Sequence, residues 1–180
     1  MNRRLVLKQL AVATAAAWFL PSCVTDTKKL SIALNNLKIS SEDEELMASL
    51  ADTIIPETDT PGAKTVEAHL FALMMVDDCM SKTDQEKYLQ GMRNFNSAIE
   101  QIAGNSFESL SPEERLQALI KLEDGGDSLS DDIKTFYFRS KGYIIQGYTQ
   151  SQHFLTEVQP YVLVPGPDFK GCVSSNPQAV

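Results

Sequence analysis

Apolar residues in this chain recur at helical spacing in five separate stretches, divided by links rich in polar residues, proline or glycine. Leu46, Met47, Leu50, Ala51, Ile54 and Ile55 fall on one face of a first predicted helix. Ser41 with Glu44 three residues on forms a capping box at its start, and Pro56 stops it. The link "PETDTPGAK" (56–64) holds two prolines and a glycine, which predicts a turn-rich loop. A second helix is predicted from near Thr65 to about Met80. Val66, Leu70, Leu73 and Met74 form its stripe, and Phe71, Met75 and Val76 make most of its remaining circumference apolar. A helix apolar over so much of its surface is either central or covered by a partner.

Thr83 and Glu86 predict the next capping box. Tyr88, Met92, Phe95, Ile99 and Ile102 follow at alternating steps of four and three, a continuous packing seam that Gly104 closes. "SPEE" (111–114) supplies an N-cap serine, a proline in the first turn and an acidic third partner. Leu116, Leu119 and Ile120 are then the expected buried face, and Gly125 and Gly126 the stop. The last long helix is expected from near Ser130 to about Gln152, with Ile133, Phe136, Tyr137, Ser140, Ile144, Gly147 and Tyr148 along one side. The small Ser140 and Gly147 in that stripe leave room for another backbone to come close. "YVLVPGPDFKGC" (161–172) reads as an extended, proline-broken tail, and residues 24–39 as a polar tether that can lie on the domain. With no strand–turn–strand signal and no repeat, the expected fold is all-α. It is a single domain of about five helices (40–180) after a tether (23–39) and a signal segment (1–22), ending in an extended proline-rich tail.

The first residues alter this picture. Arg3, Arg4 and Lys8 stand in an N-terminal region free of acidic residues, followed by an apolar run of Leu10–Leu20. About eleven residues are roughly half of what a membrane-spanning helix needs, so the run reads as a cleaved signal core. "NRRLVLK" resembles the twin-arginine address for cargo exported already folded, although Ser or Thr is commoner at Asn2 and Phe at Val6. A general secretory signal containing two arginines is the plainer alternative. "LPSC" resembles a lipoprotein processing box, making Cys23 the lipidated first residue of the mature chain; ordinary signal cleavage nearby is the alternative.

Counted from Cys23, 158 of the 180 residues remain, enough for one core. The three basic residues of the signal leave 13 Lys+Arg against 24 Asp+Glu, a formal charge of −11. That balance argues against nucleic acid and against electrostatic docking on anionic lipid. With Cys23 assigned to lipid, Cys79 and Cys172 are an even pair in an oxidising compartment, 93 positions apart. A structural disulfide is the expected reading, worth roughly 4–5 kcal/mol at most by loop-closure entropy. Asp77 and Asp78 beside Cys79 do not favour a reactive thiolate.

The search for catalytic chemistry yields little. There is no glycine-rich phosphate loop after a strand, no C-x-x-C-H haem attachment, and no G-x-S-x-G elbow. Three cysteines cannot ligate an iron–sulfur cluster alone. A zinc site would need both His69 and His153 with a matching carboxylate, and a lone helix histidine is more often a hydrogen-bonded core or interface residue. Asp77 and Asp78, adjacent on a helix, point about 100° apart and cannot share a proton; they read as a polar helix end.

Three segments in order carry a resemblance: "LADTIIPETDTPGAK" (50–64), "FESLSPEERLQAL" (107–119) and "VPGPDFKGC" (164–172). They resemble the gluconate 2-dehydrogenase subunit 3 family over about residues 40–172, with Cys79 and Cys172 matching its two cysteine positions. The stretch "YIIQGYTQSQHFLTE" (143–157) fits less well. The resemblance implies a small, non-catalytic subunit without a cofactor of its own. Its partner would be a large FAD-bearing dehydrogenase subunit of the glucose–methanol–choline type, acting on sugars or polyols, with a cytochrome c subunit as a common electron acceptor. The large subunit of such complexes commonly lacks an export signal and travels with the small one. A folded-cargo address on a chain without a cofactor site is then explained by a partner that carries the FAD. Phe71, Met75, Val164, Pro165 and Phe169 are the expected partner contacts, on the apolar second helix and the tail. The expected location is periplasmic, held at a membrane by Cys23. The competing readings are a stand-alone envelope lipoprotein that binds or scaffolds, and an independent enzyme.

Overall fold

A computed structural model of the chain describes residues 30–125 and 129–159. The signal segment, Cys23 and the tail from residue 160 lie outside the described residues. Five α-helices follow one another: α1 (Ser41–Ile54), α2 (Ala68–Cys79), α3 (Lys82–Ala103), α4 (Pro112–Asp124) and α5 (Asp131–Thr149). A 3-10 turn, Phe107–Ser109, precedes α4, and a π-helical turn, Phe154–Val158, follows α5. No strand occurs among the described residues, so the all-α expectation holds.

Long α3 and α5 lie against each other over the largest interface, and α2 packs on the other end of α5. The α3 seam read from the sequence is buried through Tyr88, Met92, Phe95 and Ile99, and Ile102 is half-buried. Phe95 stands at its centre, edge-on to Phe107 (5.4 Å) and Phe136 (5.2 Å), and parallel to Tyr137 at 6.4 Å. These separations suit the quadrupoles of the rings and add to their burial.

Several starts and faces differ from the sequence expectation. Ser40, not Ser41, caps α1: its side chain accepts from the Asp43 amide, and Asp43 answers the Ser40 amide at 2.7 Å. "SSEDEE" offers two overlapping boxes, and Glu44 is drawn away by Ser31, whose amide donates to it at 2.9 Å. α3 is capped two residues early by Ser81, which accepts from Asp84. α2 begins at Ala68 and not near Thr65. The backbone of 62–67 is occupied by turns (the Val66 amide donates to the Gly62 carbonyl at 3.1 Å), and Glu67 sits in the left-handed region at φ 58°. On α4 the buried residues are Ala118, Leu119 and Leu122, whereas Leu116 and Ile120 face outward. The 3-10 turn fixes that rotation, because Arg115 donates to the carbonyls of Phe107 (2.9 Å) and Glu108 (2.7 Å) and lies over the Phe107 ring. The expected box Ser111–Glu114 and the left-handed Gly104 stop are both present.

The close approaches also differ. Ser140 is fully buried, but its hydroxyl pairs with that of Tyr88 at 2.7 Å in a pocket shared with the Met47 sulfur. Burial away from water pushes the Tyr88 phenol up, past the range in which it ionises in practice. At Gly147 the neighbour is a ring: a Cβ there would stand 2.8 Å from Phe71 Cδ1. The true backbone contact is at Gly91 on α3, against the carbonyl of Asp132.

Candidate partner-binding surfaces

Residues 30–39 form a strap across the helices. Leu37 is buried, with Ile32, Leu34 and Ile39 packed beside it. Glu44 holds the strap at Ser31, and Asp77, near the end of α2, clamps its middle. The Asp77 Oδ1 accepts the amides of Leu37 (2.6 Å) and Asn36 (2.7 Å), and its Oδ2 accepts that of Asn35 (2.8 Å). Burial alone would raise this carboxyl, but the three amides outweigh it and hold the carboxyl below its ordinary 3.8. The Asp77 carbonyl in turn accepts from Gln85 (2.8 Å) and Asn36 (3.0 Å), so the open end of α2 is closed by α3 and the strap. The sequence reading of Asp77 as a polar helix end does not reach this clamp; an acid at helical spacing from Leu70 and Leu73 is its only signal.

Of the expected contact and site residues, Phe71 and Met75 are half-buried on α2, and Phe71 is partly spent on Gly147 within the domain. Met74, between them in sequence, is the large apolar residue of that helix that stands exposed. Cys79 is exposed at the C-terminal end of α2. Arg3, Arg4, Cys23, Val164, Pro165, Phe169 and Cys172 lie outside the described residues.

His69 is buried as a core histidine, yet its Nδ1 has no hydrogen-bond partner, which corrects the expectation of a hydrogen-bonded ring. Burial holds the imidazole below its ordinary 6.5, with Lys64 adding and Glu44, Glu67 and Glu45 opposing. Neutral His69 therefore fits this core, and charging it costs the fold. The His153 Nε2 is likewise enclosed without a partner. His153 lines a cleft of about 420 Å³ with Val66, Glu67, Phe71 and Gly147, and His69 does not join it there. Among the described residues no three His, Cys, Asp or Glu side chains converge as a metal would need.

Two further concavities differ in character. A cleft of about 400 Å³ at the start of α1 is lined by Glu42, Asp43, Glu45 and Glu108 around Arg93 and Asn96. A groove of about 190 Å³ between α4 and α5 is mostly apolar: Ile54, Leu116, Leu119, Ile120 and Tyr137. Glu123 and Lys141 join at its rim, 2.5 Å apart, and Glu123 also accepts from the Tyr137 hydroxyl. Both partners hold the Glu123 carboxyl below its ordinary value, Lys141 the more strongly. Leu116 and Ile120, expected in the core, are thus part of an exterior groove. No described helix is long and apolar enough to cross a membrane. What this geometry offers is apolar surface for a partner.

In comparison with protein families, the model described as gluconate 2-dehydrogenase subunit 3 matches residues 41–166. Comparisons with curated proteins and with solved structures gave no match.

Proposed function

The chain belongs to the gluconate 2-dehydrogenase subunit 3 family, and from that premise we propose that it is the non-catalytic small subunit of an FAD-dependent sugar or gluconate dehydrogenase. The observation that carries the reading is the extent of the family match, from the first residue of α1 through α5 and into the tail. Exposed apolar residues on α2, α4 and α5 support it, because a subunit needs surface that a partner can dry.

In this proposal the FAD and the substrate site belong to a large subunit of the glucose–methanol–choline type, and a cytochrome c component accepts the electrons. Arg3 and Arg4 address the assembled pair to the folded-cargo export route, and Cys23 anchors it at the periplasmic face of a membrane. A Cys79–Cys172 bridge ties the tail to the end of α2 outside the cell.

The export arm has its own test. Replacing Arg3 and Arg4 together with lysine keeps the charge and removes the address. Periplasmic flavoprotein dehydrogenase is expected to fall at least tenfold, with the large subunit left in the cytoplasm. Fractionation and immunoblotting of both subunits measure it; undiminished export of the flavoprotein overturns the escort role.

A further inference from the structure

We infer that the groove between α4 and α5, with the exposed face of α5 beside it, is where the large subunit docks, and that what docks there is an apolar ridge carrying carboxylates. The inference rests on the accessory-subunit reading and adds a place and a partner chemistry to it.

Exposure comes first. Six large apolar side chains stand out among the described residues, and four of them, Leu116, Ile120, Phe138 and Ile145, lie on α4 and α5, each 40–47% exposed. Phe138 sits edge-on to Tyr137, a wall of the groove, with ring centroids 5.3 Å apart, so the α5 face continues the groove.

Charge selects the occupant. The protein carries 24 Asp and Glu, yet none falls between Ile133 and Thr156, a stretch that holds Lys134, Arg139 and Lys141. Lys141 is taken by Glu123. Arg139 is exposed and Lys134 partly so, and neither has an ion pair among the described residues. A basic face on an acidic protein suits a carboxylate-bearing surface. A two-fold contact with a second copy would set Arg139 and Lys134 near their own counterparts, which like charges oppose. An anionic membrane meets the acidic excess of the rest of the chain.

Gly142 is the independent observation. It lies four residues after Phe138 and three before Ile145, on the same face of α5. A Cβ there would meet nothing within 4 Å, and its φ is not in the left-handed region. Glycine weakens a helix interior, and no neighbour or turn among the described residues requires it here. What glycine provides is a shallow spot at which an incoming backbone can come close, as Gly91 provides within the fold.

The test uses the full chain expressed from its own locus in the native host and captured under mild detergent. The flavin bound per captured chain is the readout. Variants are Phe138→Glu, Arg139→Glu and Gly142→Leu, with Met74→Glu on α2 as the comparison face. The expected result is a tenfold or greater loss of co-captured flavoprotein for the three α5 variants and retention with Met74→Glu. Gly142→Leu is also expected to raise the Tm of the isolated chain by about 2–4 °C, separating lost docking from lost folding. Retention with all three α5 variants overturns the site. So does a wild-type chain that self-associates through Phe138 or binds anionic vesicles through Arg139 instead. If the wild type captures no flavoprotein at all, the accessory-subunit reading itself falls, and this site with it.

Discussion

Changing Gly91 to alanine is expected to destabilise the domain by about 2–3 kcal/mol, although the same change usually strengthens a helix by roughly 1 kcal/mol. A Cβ at this position would stand 2.0 Å from the carbonyl oxygen of Asp132, 2.6 Å from its carbon and 2.8 Å from Phe136 Cβ. Two of these atoms are backbone, so no rotamer change relieves the clash; α3 and the first turn of α5 must move apart. That movement also strains the Asn94–Asp132 hydrogen bond at 2.7 Å and opens the aromatic centre where Phe136 meets Tyr88 and Phe95. Overpacking at the largest helix interface outweighs the propensity gain. A fall in Tm of about 5–10 °C is the corresponding thermal readout for a domain of this size. The neighbouring experiment gives the opposite sign, because Gly142 has open space around its Cα. A Gly91→Ala protein as stable as the parent would show that α3 and α5 are not in this contact.

Asp77→Asn is the second large effect, expected to cost about 2–3 kcal/mol and to release the strap. The carboxylate has only acceptors, and three amides point at it. An asparagine in its place turns one oxygen into an NH₂ donor facing an N–H. At least one of these amides then loses its partner, and the other bonds lose their charge assistance. Hydrogen exchange at Asn35, Asn36 and Leu37 should be slow in the parent and fast in the variant, while α3 is unaffected. The pH dependence has a definite sign. Folding lowers the Asp77 pKa from 3.8, so its stabilisation is present above that value and is lost as pH falls through the lower folded value. The stability difference between parent and variant should therefore shrink in acid, below about pH 4. A difference that stays constant from pH 7 to pH 3 would show that the strap is held by packing alone.

The two predictions mark what was legible in the sequence. Periodicity locates every long helix among the described residues, because Tyr88–Met92–Phe95–Ile99 and Ile133–Phe136–Tyr137–Ser140–Ile144 repeat at the helical interval; Pro56, Gly104 and Gly125 mark the ends of α1, α3 and α4, whereas α2 and α5 end at neither residue type. The starts of α1 and α3 were ambiguous for a chemical reason: clustered serines and acids allow more than one capping pair, and only tertiary partners such as Ser31 on Glu44 decide. On α4 side-chain size does not mark the buried face. Ala118 and Leu122 define the inward stripe, and larger Leu116 and Ile120 are left outside by the Arg115 anchor on Phe107. Asp77 and Gly91 act through residues 40 to 45 positions away, a distance over which local pattern carries no signal. The family was readable from "LADTIIPETDTPGAK" because its loop is physically demanding. Gly62 is wedged against the Ile55 carbonyl and Glu57 amide, where a Cβ would stand 2.6–2.8 Å from backbone atoms, and the Ala63 amide donates back to Ile55 at 2.9 Å. The apolar circumference of α2 points the sequence reading to that helix for partner contacts, and the fold uses most of that circumference within the domain.

One purification decides the central claim that this helical body exists to grip and deliver a flavoprotein. Extracted from its native host with mild detergent and separated by size, the chain should elute with a larger polypeptide and with flavin absorbance in proportion to the pair. An intact chain that elutes alone, while FAD-dependent sugar dehydrogenase activity elutes elsewhere, would contradict the account.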